Sequence, residues 1–111
     1  MEEAPNILTE LENRFGTGVL FQQGTRDQIP TFWVPKDRII EVLRYLKHDI
    51  PGPFAMLYDL TAIDERLRTH RADQPESDFS VVYNLISYDR NQDLRLKVAL
   101  KGGRQIGRAH V

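Results

Sequence analysis

The chain has 111 residues, 41% of them hydrophobic and 28% charged, and its 15 basic and 16 acidic side chains leave a net charge of -1. That describes one domain with one core, without the basic surplus of a dedicated nucleic-acid binder. The absence of cysteine excludes disulfides, thiolate chemistry and iron–sulfur ligation by these residues.

The first predicted element is a helix, because Ile7, Leu8, Leu11 and Phe15 fall on one face. Gly16 stands where a left-handed stop belongs. Two short strands follow, Val19-Leu20-Phe21 and Thr31-Phe32-Trp33-Val34, joined by the polar turn Gly24-Thr25-Arg26-Asp27-Gln28. A second helix is expected from Pro35, with Ile39, Ile40, Val42, Leu43 and Leu46 as its apolar side. Asp37 is placed in its first turn and Lys47 and His48 in its last, as the helix dipole prefers. Pro51-Gly52-Pro53 ends it. Residues Phe54 to Ile63 read as a third strand, apolar on both faces and therefore expected to be central and covered on both sides. Asp64 to Asp78 is a long polar loop, a length that in a small domain points to function or mobility. Phe79 to Tyr88 and Leu94 to Leu100 alternate as a hairpin about Asp89-Arg90-Asn91-Gln92-Asp93.

The expected architecture is thus α+β in two layers, ordered α-β-β-α-β-β-β, with a mixed sheet of about five strands. Two helices cannot cover both faces of such a sheet, so one face should carry them and the other should be open. The domain is expected to occupy residues 1–101, with 102–111 an aperiodic tail foreign to it. The start Met1-Glu2-Glu3-Ala4-Pro5 lacks the apolar core of a signal peptide, and no apolar run is long enough to span a bilayer.

Chemistry-bearing residues are sparse. His48, His70 and His110 are scattered, without metal-ligand spacing. Gly102-Gly103-Arg104 lacks the Lys-Ser/Thr pair of a phosphate loop. Asp59, Asp64 and His70 could form an acid–base or metal site of a small stand-alone enzyme, although acids on such a strand more often cap turns or pair with arginines. The densest polar run, Asp64-Glu65-Arg66-Leu67-Arg68-Thr69-His70-Arg71, has the arginine content of an interface; its plainer reading is a solvated loop. Arg95, Lys97 and Lys101 line one strand face and are too few to carry a nucleic-acid surface.

Three ordered runs carry a resemblance. They are Met56-Leu57-Tyr58-Asp59-Leu60-Thr61-Ala62-Ile63-Asp64-Glu65-Arg66, then Phe79-Ser80-Val81-Val82-Tyr83-Asn84-Leu85-Ile86-Ser87, and then Asp89-Arg90-Asn91 leading into Leu96-Lys97-Val98-Ala99-Leu100. Together, over about residues 7 to 101, they resemble the C subunit of the proton-pumping NADH:quinone oxidoreductase, respiratory complex I. The stretch Asp64 to Arg71 is most similar to the bacterial form in which the C and D subunits are fused. The family's continuation, with a Glu-Arg-Glu signature, an aromatic-Gly motif and a His-Pro pair, does not follow here, which suggests a truncated N-terminal domain.

The resemblance implies a scaffold and assembly role in the peripheral arm. It implies no redox cofactor in this chain, with flavin and iron–sulfur clusters in partner subunits. It also implies a place on the cytoplasmic side of the bacterial inner membrane, with the D subunit and neighbouring quinone-module subunits as partners. Asp64, Glu65, Arg66, Arg68, His70, Arg71, Arg95 and Lys97 are then the candidate interface residues, and no catalytic residue is expected.

Overall fold

A computed structural model describes residues 7–64 and 78–100. The element order is α1 (Ile7–Phe15), β1 (Phe21–Gln23), β2 (Thr31–Trp33), α2 (Ile39–Arg44), a π-turn (Tyr45–Asp49), β3 (Met56–Asp64), β4 (Phe79–Ser87) and β5 (Gln92–Leu100). This is the α+β order the periodicity predicts. The strands form one mixed five-stranded sheet in the order β1-β2-β5-β4-β3. Of its pairings, β2–β5 is parallel, with Thr31 opposite Arg95 and Trp33 opposite Lys97, and the others are antiparallel.

Each helix buries a single stripe. Ile7, Leu11 and Phe15 of α1, and Ile39, Val42 and Leu46 from α2 and its π-turn, meet Phe32, Val81, Tyr83, Leu85, Leu94, Leu96, Val98 and Leu100 in one core. The strand members alternate, so they come from one face of the sheet. Helix α1 stops where Gly16 takes a φ of 94° and donates its amide to the Glu12 carbonyl at 2.8 Å. Helix α2 starts later than Pro35 suggests. Residues 35–38 form a turn closed by the Arg38 amide on the Pro35 carbonyl at 2.9 Å. At its far end the Ile50 amide reaches back to the Tyr45 carbonyl at 3.0 Å, closing the wider π-type ring. Strand β1 likewise begins at Phe21, while Leu20 turns into the core before it.

One expectation is overturned. β3 is an edge strand, not a central one, and Met56, Leu57, Tyr58 and Leu60 are all 38–49% exposed. The physical reason is topological. β5 returns between β2 and β4, so β4 and β5 take the centre and β3 is left with one neighbour among the described residues.

Arg90 ties the layers together. It makes a two-pronged pair with Glu10 of α1 at 2.6 and 2.8 Å, donates to the carbonyls of Gly52 (2.8 Å) and Pro51, and lies over the Phe54 ring at 5.3 Å. Gly52 is required here. Its φ is 64°, and a Cβ would come within 3.0 Å of the Arg90 side chain.

Candidate functional site

The sheet face away from the helices carries a polar row that crosses from the β1–β2 turn to the outer edge. Arg95 on β5 donates to Asp27 at 2.8 Å and to Asn84 on β4 at 3.1 Å. Asn84 approaches Asp59 on β3 at 3.5 Å, and Thr61 donates to the same carboxylate at 3.2 Å. Asp27 is held well below the usual carboxylate range, first by the Arg95 guanidinium, then by the Thr25 hydroxyl and the Ile29 amide.

One step further along the strands, the Trp33 indole donates to the Gln23 side-chain oxygen at 2.7 Å, and the Lys97 ammonium lies 5.4 Å from the Trp33 ring. Beside it a shallow pocket of about 180 Å³ is lined by Phe21, Trp33, Val34, Pro35, Lys36 and Ala99. Trp33 is buried, so this face is less open than the layer count predicts.

The other surface of note follows β3 on the helix side. Leu57, Leu60, Ala62 and Asp64 share the face of their partners Leu85, Tyr83, Val81 and Phe79. Those partners belong to the core or pack against it, yet neither α1 nor α2 reaches over β3 to cover Leu57 and Leu60. A groove of about 450 Å³ runs between the π-turn and β3, lined by Leu43, Lys47, Phe54, Ala55, Met56, Leu57 and Leu85. Burial pushes the Tyr83 hydroxyl up, and the Tyr58 hydroxyl is raised by desolvation and then by Asp93.

The structure separates the acid–base residues. Asp59 pairs with Asn84 and Asp64 with Phe79, an odd offset that puts the two carboxylates on opposite faces of the sheet. His70, with Glu65, Arg66, Arg68 and Arg71, lies outside the described residues. Among the described residues no three His, Cys, Asp or Glu side chains gather as a metal site. The stand-alone enzyme reading therefore loses its geometry. Arg95 and Lys97 lie on one face as expected, each half-buried and engaged with neighbours across the sheet. Sequence reasoning missed Asp27 and Asn84. Asp27 was findable, because a Thr-x-Asp turn is a self-bonding turn motif; Asn84 became visible only through the register.

The fold and surface define a two-layer α+β domain with one apolar edge strand left uncovered among the described residues. The family whose profile matches, over residues 32–107, is described as "Respiratory-chain NADH dehydrogenase, 30 Kd subunit". The chain belongs to that family, the C-subunit family of complex I, in its fused C/D form. It is 52% identical over 95 residues to the NADH-quinone oxidoreductase C/D subunit of Pseudomonas aeruginosa, covering 86% of this chain and 16% of that protein. It is 52% identical over 107 residues to the same-named protein of Nitrosospira multiformis, covering 87% and 17%. With that of Methylococcus capsulatus it shares 48% over 99 residues, covering 89% and 17%. The chain thus spans about one sixth of the length of these relatives. Among the described residues no helix is long and apolar enough to cross a membrane.

Proposed function

We propose that this chain is a scaffold domain in the peripheral arm of an NADH–quinone oxidoreductase. It holds neighbouring subunits, chiefly the D subunit, on the cytoplasmic side of the inner membrane and binds no redox cofactor itself. The observation that carries this is the uncovered apolar β3 edge on a chain of a subunit family. Apolar side chains contiguous on a small domain mark a surface meant for a partner. The lack of cysteine supports the cofactor-free role, since cluster ligation rests on thiolates. Asp64, Glu65, Arg66, Arg68, His70 and Arg71, with Arg95 and Lys97, are the proposed polar contacts.

The test uses the full-length natural protein, tagged and expressed in its host. Combined Arg66→Glu, Arg68→Glu and Arg71→Glu exchange should lower the amount of assembled complex recovered from membranes, together with NADH:quinone activity. Unchanged assembly would remove these arginines from the interface. Unchanged assembly after deletion of the whole domain would overturn the scaffold role.

A further inference from the structure

The helix layer is one helix short among the described residues. Strands lie about 4.8 Å apart and a helix is about 10 Å wide, so two helices cover about four strands, and this sheet has five. Helix α2 is occupied on one flank. There Tyr45 meets Phe15 of α1 edge to face at 5.5 Å, and Arg38 reaches the same ring at 5.9 Å. The described residues leave the opposite flank open. Ile40, one turn before Leu43, is 45% exposed, and Leu43 and Lys47 form one wall of the groove over β3. The floor is Phe54, Leu57 and Leu85, and the exposed Leu60 extends it along the strand.

Resting on the scaffold reading, we propose that this ledge seats an amphipathic helix supplied from outside these 111 residues. That helix lies alongside α2, with its apolar stripe on Leu43, Leu57 and Leu60 and a carboxylate toward Lys47. A helix fits better than an added strand for two reasons. The open ledge is on the helix face, and the β3–β4 register slips between Leu57 and Asp59, the kind of bulge that twists an edge away from a new strand. The charge selects an acidic occupant. Lys47 lines the groove, and His48 beside it is also basic at the end of the π-turn. Residues 101–111 carry Lys101, Arg104 and Arg108 and no acid, so Lys47 repels them. Residues 65–77 carry only Leu67 among large aliphatic side chains, too few to fill the ledge.

The experiment places a benzophenone amino acid at position 60 of the full-length protein in its host, with position 61, on the other face, as control. Irradiated complex is purified from membranes and the cross-linked peptides are sequenced. Capture at position 60, but not at 61, of a segment with apolar residues at helical spacing and a carboxylate at its border supports the proposal. Lys47→Glu should cut that cross-link about tenfold, a loss of about 1.4 kcal/mol, while Lys47→Arg retains it. Cross-links to residues 65–77, to 101–111 or to a second copy, or no cross-link in an assembled complex, overturn the helix and leave the scaffold role standing. A domain that never enters the complex overturns both.

Discussion

Strands β3 and β4 are each nine residues long, lie side by side, and are both rich in apolar side chains. Yet β4 buries Ser80, Val81, Val82, Tyr83, Leu85 and Ser87, whereas β3 keeps almost everything in solvent. The difference is position. β4 has a strand on each side and helices above, and among the described residues β3 has neither a second neighbour nor a roof. The contrast teaches that an apolar strand reports where a surface needs cover, without saying whether this chain supplies it.

Four variants break or sharpen the contrast, and the central strands should give the largest response. Leu96 on β5 is fully buried, so Leu96→Ala should cost about 2–5 kcal/mol in urea denaturation. Arg90→Ala should come next, at about 2–4 kcal/mol, because it strands the largely buried Glu10 carboxylate and empties the carbonyl cradle at Pro51 and Gly52. Trp33→Phe removes the indole donor from the buried Gln23 oxygen and should cost about 1–2 kcal/mol. Leu60→Ser on the exposed edge should cost less than about 1 kcal/mol, since little area leaves water there. A loss from Leu60→Ser equal to that from Leu96→Ala would erase the distinction between centre and edge.

The smallest expected effect is one of pH. Asp27 has a lower pKa folded than unfolded, chiefly through Arg95. The stability it lends is complete above the ordinary carboxylate range, about pH 4, and is lost as pH falls through the folded value. Carboxyl chemical shifts should show Asp27 titrating below other aspartates, and Arg95→Gln should move it back toward them.

Much of the fold was legible because it is written locally. Alternation places Val81, Tyr83, Leu94, Leu96 and Val98 on one face, and the spacing of Ile7, Leu11 and Phe15 marks α1. What stayed hidden depends on distant partners. The Glu10–Arg90 pair joins residues 80 apart and the Asp27–Arg95 pair joins residues 68 apart; no local pattern encodes either. The order of strands is hidden for the same reason, which is why Met56 to Leu60 read as interior. The π-turn escaped because its extra residue leaves the apolar spacing of α2 nearly intact. Of the expected site, Arg95 and Lys97 fell where the alternation put them, while Asp59 and Asp64 parted because the strand period sends them to opposite faces.

The parallel pairing of β2 with β5 has a temporal consequence. Phe32 lies opposite Leu96, so the N-terminal hairpin has no sheet to join until the last described strand has been made. During synthesis, at about 5–20 residues per second, α1, β1 and β2 must wait for several seconds with Phe32 and Trp33 unhoused. Non-local closure of this kind is slow. The β4–β5 hairpin is then the natural nucleus, and the beginning of the chain is the last part to find its place.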